Sequence, residues 1–151
     1  MNAKVNRFER ILKTKVKVRD DERILLSMEK KEEERLLSVL ATLGTEKEQA
    51  LASFGSQKDE TFTVQDIWFR RKAIDHLDSR ICREGESLCG VRQSIENTEA
   101  RLLEKHRDVK VMQKYISFLV EDLQDESKKQ EQSELDDIAG IRHGSPKEGR
   151  R

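Results

Sequence analysis

The chain has very little that would break a helix and nothing that resembles a reaction centre. Its one proline, Pro146, lies close to the end, and seven glycines are scattered through 151 residues. Nothing before Pro146 removes a backbone donor from a helix interior. Aromatic residues make up 5% of the chain, and no run approaches the eighteen or more apolar residues that a membrane span needs. The opening MNAKVNRFERILK carries a charge every few residues and lacks the apolar core of a secretion signal, which predicts a cytoplasmic protein. Cys82 and Cys89 are seven apart, about 10 Å along a helix, too far to be bridged within the chain. They read as reduced thiols.

The chemistry that is missing is just as informative. His76, His106 and His143 stand alone, none with a cysteine or second histidine at metal-ligand spacing. No phosphate loop of the G-x-x-x-x-G-K-S/T type and no G-x-G-x-x-G turn is present. The carboxylates alternate with lysine and arginine, the pattern of a solvated helix face and not of an acid/base pair in a dry cleft. A two-helix rod also has no concavity that excludes water. These absences predict no catalytic residue, no metal, no cofactor and no enzyme activity. The basic first turn of the chain could press Lys and Arg onto phosphates, but zero net charge and interspersed acids argue against a continuous basic stripe, so no nucleic acid is expected.

What is present is a heptad. Every seventh residue from Ile67 is aliphatic: Ile74, Ile81, Leu88, Ile95, Leu102, Val109, Ile116 and Leu123. Such a repeat marks a helix that supercoils against a partner helix, and its span corresponds to a rod of roughly 85 Å. Ala, Glu, Lys, Leu and Arg supply 71 residues, near the half-share of coiled coils, and charged residues reach 40%. Leu, Ile, Val and Phe still number 38, which argues against disorder.

The N-terminal part repeats the pattern more weakly. A 3,4 step from Phe8 runs through Ile11, Lys15, Val18, Glu22, Leu25, Glu29, Glu32, Leu36, Val39, Leu43, Glu46 and Ala50, with its gap centred on the charged run 29–35. Gly55 suits a left-handed residue that ends a helix. Thr63 and Asp66 have capping-box spacing, with Phe62 and Ile67 placed as a hydrophobic staple. The expected fold is therefore all-α, a long antiparallel two-helix coiled-coil hairpin over 1–141 with its second helix the longer. Helix 1 is expected over about 4–54, the turn over about 55–63 and helix 2 over about 64–138. Residues 142–151 form a disordered basic tail in this reading.

With the turn centred near residue 59, residue i faces about 118 − i. Residues from about 118 to 138 then have no helix of their own chain to lie against. This overhang is acidic: 121–137 holds eight acidic and two basic residues, whereas 1–19 holds seven basic and one acidic. A lone helix of that length is marginal in water, and Leu135, Ile138 and Ile141 offer an apolar stripe for another protein to complete it. Near the turn, Ile67, Trp68 and Phe69 are consecutive, so at least one ring must stand near solvent. Those rings either cap the hairpin or form a contact patch.

Three stretches carry a family resemblance: RFERILKTKVKVRDDER at 7–23, the run from Trp68 to Ile81, and KKQEQSELDDIAGIR at 128–142. Together with length and helix layout they make the chain resemble the FliJ family of flagellar type III export, whose injectisome relative is YscO. The resemblance implies a cytoplasmic stalk at the inner-membrane export apparatus, peripheral to the membrane through its partners only. It implies that the joined chain ends enter the hexameric export ATPase, FliI, and promote its assembly and activity. It further implies contact with the linker of the export gate, FlhA, and escort of export chaperones. Carried onto this sequence, the gate contact falls on Trp68, Phe69, Ala73 and Leu77, although Ala73 stands where the family has an aromatic. The ATPase contact falls, by location, on Phe8, Ile11, Leu135 and Ile138. The competing expectation is a homodimeric coiled-coil scaffold unrelated to export, in which the aliphatic stripe pairs with its copy in a second chain.

Overall fold

The computed structural model describes residues 2–56 and 62–144, and among them are two helices and no strand. Helix α1 spans Ala3–Ser56, 54 residues, and α2 spans Val64–Gly144, 81 residues. The protein is all-α, with two long helices packed against each other and the second longer than the first.

The helix starts have chemical causes. Asn2 precedes α1, and its Oδ1 accepts a hydrogen bond from the Lys4 amide at 3.0 Å, satisfying one of the opening donors. Ahead of α2 the capping box forms in both directions. The Asp66 amide donates to Thr63 Oγ1 at 3.3 Å, and the Thr63 amide donates to Asp66 Oδ2 at 3.4 Å. Gly55 does not end α1 in a left-handed turn. The helix continues through it to Ser56, and no described glycine has a positive φ. The turn expected at 55–63 falls largely on 57–61, outside the described residues, as do the last seven residues of the expected tail. At its far end α2 continues past Ile138 to Gly144.

The stripe that begins at Ile67 faces inward. Leu88, Ile95 and Val109 are buried, Ile74, Ile81, Leu102, Ile116 and Leu123 are half-buried, and Ile67 alone is exposed. The companion positions Leu77, Val91, Met112 and Leu119 are half-buried and Thr98 is buried, which completes a 3,4 seam. Along α1 one half of the expected seam holds: Phe8, Lys15, Glu22, Glu29, Leu36, Leu43 and Ala50 all lose exposure. In the other half Ile11, Glu32 and Val39 are half-buried as expected, and three positions shift by one residue. Val18, Leu25 and Glu46 are exposed, while Arg19, Leu26 and Lys47 are half-buried. Starting the step from Val5, also buried, brings Leu12, Leu26 and Leu40 onto the seam, so the helix uses more leucines than the step from Phe8 had counted. Each fully buried leucine contributes about 1.5–3 kcal/mol.

The chain divides into two compact units, Met1–Val18 with Lys105–Arg151, and Arg19–Glu104. Within Arg19–Glu104, Lys47 Nζ lies 2.6 Å from Asp78 and Lys30 Nζ lies 3.9 Å from Glu99. A polar layer crosses the seam of this unit. Thr98, completely buried, donates to Glu29 Oε1 at 3.0 Å and accepts from Arg101 at 3.0 Å, while Arg101 Nε reaches Glu22 at 3.4 Å. These pairs put residue i opposite about residue 125 − i, not 118 − i. The correction is one heptad, because a seven-residue repeat offers the same apolar partners after a slip of seven.

In Met1–Val18 with Lys105–Arg151 the rings of Phe8 and Tyr115 meet edge to face at 5.0 Å, which agrees with the same register. The N-terminal helix therefore reaches further along α2 than expected. A groove of ≈ 320 Å³ is lined by Asn2, Val5 and Glu9 on one side and by Val120, Leu123, Gln124 and Ser127 on the other. Residues 118–127 thus have a neighbour in their own chain. Beyond Leu123 the stripe positions become Gln130 and Asp137, and every residue from Gln124 to Gly144 is exposed. In-chain pairing stops where the apolar repeat stops.

Candidate functional site

The described residues contain no cleft with converging chemistry. No group of three His, Cys, Asp or Glu side chains could hold a metal ion among them, and no helix is long and apolar enough to cross a membrane. Most ionisable groups among the described residues sit on solvated faces, with Glu22 and Glu29 turned toward the seam. On the surface of α1, Arg35 donates two hydrogen bonds to Glu32, at 2.6 and 2.9 Å. That bidentate contact holds the Glu32 carboxyl below its usual range and raises Arg35. It is a helix-surface pair and no reaction follows from it. Exposed apolar side chains mark one candidate recognition surface in each unit.

The surface in Arg19–Glu104 lies on the first turns of α2. Trp68 and Phe69 are 52% and 63% exposed, and their rings meet edge to face at 5.1 Å. Lys72 Nζ lies 4.3 Å from the centre of the Trp68 ring, so the indole has a cation on its face and water around its rim. Ala73 is exposed beside them, and Leu77 is half-buried in the seam. The structure thus brings Trp68, Phe69 and Ala73 to one exposed turn and leaves Leu77 only partly available. Different rings line the interior here. The Arg70 guanidinium lies 4.6 Å from the Phe62 ring centre and 5.6 Å from that of Phe54.

The surface in the other unit comprises the start of α1 and the last turns of α2. Phe8 and Ile11 are half-buried, Phe8 against Tyr115. Leu135 and Ile138 are 65% and 51% exposed, beyond the reach of α1. The structure therefore does not bring these four residues into one patch. Phe8 and Ile11 flank the paired part, and Leu135 and Ile138 lie along the extension. Two groups were missed by the sequence reading: the polar layer that joins the seam positions Glu22 and Glu29 to Thr98 and Arg101, and the exposed residues Val111, Tyr115 and Phe118 of α2. The second could have been found from its i, i+4, i+7 spacing off the aliphatic stripe.

A packed seam with apolar side chains left exposed at selected turns defines a two-helix coiled coil. The family comparison then gives the particular: the FliJ family, described as Flagellar FliJ protein, matches residues 4–148, nearly the whole chain. The chain belongs to the FliJ family, a non-catalytic component of flagellar protein export whose partners are other export components. No curated protein and no solved structure matched the chain.

Proposed function

We propose that the chain is the stalk of the export ATPase. The C-terminal extension of α2 and the N-terminus of α1 enter the central opening of the hexameric ring, where Phe8, Ile11, Leu135 and Ile138 meet the subunits. A single asymmetric rod cannot touch six equivalent subunits equally. It therefore biases their assembly and the order of their nucleotide states without chemistry of its own. Trp68 and Phe69, with Ala73 and Leu77, take the linker of the export gate, and the same chain escorts export chaperones. In this reading the protein has no catalytic activity and sits at the cytoplasmic face of the export apparatus, reaching the membrane through partners only.

The observation that carries the reading is the exposed run from Lys128 to Gly144, beyond the part of α2 that has α1 as a neighbour. An isolated helix of such length is marginal in water, so a partner that holds it gains specificity for an ordered end. Removing residues 128–151 should abolish stimulation of the export ATPase while circular dichroism of the remaining chain stays helical. Full stimulation by the shortened chain overturns the proposal. The competing scaffold, in which the aliphatic stripe pairs between two chains, has no support from the burial pattern, because α1 already covers that stripe.

A further inference from the structure

Within the unit formed by Met1–Val18 and Lys105–Arg151, two exposed strips complement each other. On α2, Val111 and Phe118 are 68% and 62% exposed, with Tyr115 between them carrying the Phe8 ring on its edge. They lie off the seam, which uses Val109, Met112, Ile116 and Leu119. Each end of this strip has a base one helical turn before it, Arg107 before Val111 and Lys114 before Phe118, both exposed. The α1 turns beside it add Lys4 and Arg7. Along the extension the same spacing recurs with the opposite sign. Glu131 precedes Leu135 by four residues, and Glu134 precedes Ile138 by four, all of them exposed. Residues four apart share a helix face.

The two strips cannot meet within one molecule. Both lie on α2, which is one continuous helix from Val64 to Gly144. Their centres are about twenty residues apart, or roughly 30 Å along the axis. Two acidic extensions would also repel each other, and among the described residues of this unit the strip that joins exposed bases to exposed large apolar side chains is Val111–Tyr115–Phe118, which only another molecule can present to 131–138. We propose that a second copy of this chain lays its Glu131–Ile138 segment on the Val111–Tyr115–Phe118 strip of the first. Apolar anchors supply the contact area, and the bases at Arg107 and Lys114 select the acidic face. This inference does not depend on the export reading.

Sedimentation of the full chain over a range of concentrations tests it. The wild type should self-associate at about 20 mM salt and weaken at least tenfold at about 500 mM, because exposed charge pairs are screened. Phe118→Asp and Leu135→Asp should each leave a helical monomer. Each variant keeps the half that the other has lost, so an equal mixture of the two should form a 1:1 heterodimer. Glu131→Lys with Glu134→Lys should also give a monomer, and Arg107→Glu with Lys114→Glu in a partner chain should recover its binding. A wild type that stays monomeric at low salt overturns the proposal, as does association that survives either Asp variant. A mixture that fails to pair overturns it too, and then the strip belongs to a different protein.

Discussion

Replacing Thr98 with valine removes one hydroxyl from the middle of the seam and keeps the shape of the side chain. The hydroxyl is completely buried, donates to Glu29 at 3.0 Å and accepts from Arg101 at 3.0 Å. Arg101 keeps Glu22 as a partner and has water beside it, so its loss is small. Glu29 fares worse, because its second carboxylate oxygen is already buried without a hydrogen bond. A hydrogen bond to a charged group contributes about 1.5–3 kcal/mol, and Glu29 is only half-buried and can turn toward water. Thr98→Val should therefore cost about 1.5 kcal/mol, near the lower end of that range. Adding Glu29→Leu removes the stranded carboxylate, and the double variant should be no less stable than the wild type. The cycle is read by urea unfolding followed by circular dichroism, with an expected coupling of about 1.5 kcal/mol. Additivity to within about 0.3 kcal/mol would refute the idea that the two side chains share a dry polar layer.

Adjacent leucines test the seam itself. Leu36→Ala, at a buried position, should cost about 2–4 kcal/mol, whereas Leu37→Ala, largely exposed, should cost well under half as much in the same unfolding assay. Gly90 lies within α2 with open space where a Cβ would stand, so Gly90→Ala should raise stability by about 0.5–1 kcal/mol. Arg35 lowers the Glu32 carboxyl below its unfolded value, so the stability this pair adds is present above the ordinary glutamate pKa. It is lost as pH falls through the lowered value. Melting temperatures of wild type and Glu32→Gln should therefore differ at pH 7 and converge in acid. Trp68→Ala with Phe69→Ala should leave melting unchanged and weaken binding to the export-gate linker without altering ATPase stimulation; equal loss of both functions counts against separate surfaces.

The architecture was legible because its signals are local and repetitive. The aliphatic stripe from Ile67, the capping box at Thr63 and Asp66 and the scarcity of proline all act within a few residues, and each was present in the structure. Register was not legible. A heptad looks the same after a slip of seven, and contacts such as Lys47 with Asp78 that distinguish the two alignments lie far apart in sequence. The three shifted positions of the α1 seam have a related cause. Where charges interrupt a helix, as between Glu29 and Arg35, two neighbouring 3,4 tracks fit nearly equally well, and only the partner helix selects one. Candidate surfaces were legible as far as composition could take them. The consecutive aromatics required at least one exposed ring, and both Trp68 and Phe69 are exposed, but Arg70 as the residue that meets the Phe54 and Phe62 rings could not be read from a polar side chain.

The central claim is that α2 pairs with α1 of its own chain in the 125 − i alignment and so outruns it. Spin labels test this directly, placed at Cys89 with Cys82→Ser and at a cysteine introduced at position 37 or, separately, at position 30. Seven residues correspond to about 10 Å along a helix, so the two pairs separate the alignments cleanly. The account predicts that the 37–89 distance is the shorter, and that excess unlabelled chain leaves it unchanged. A shorter 30–89 distance, or a signal that disappears on dilution with unlabelled chain, would contradict it.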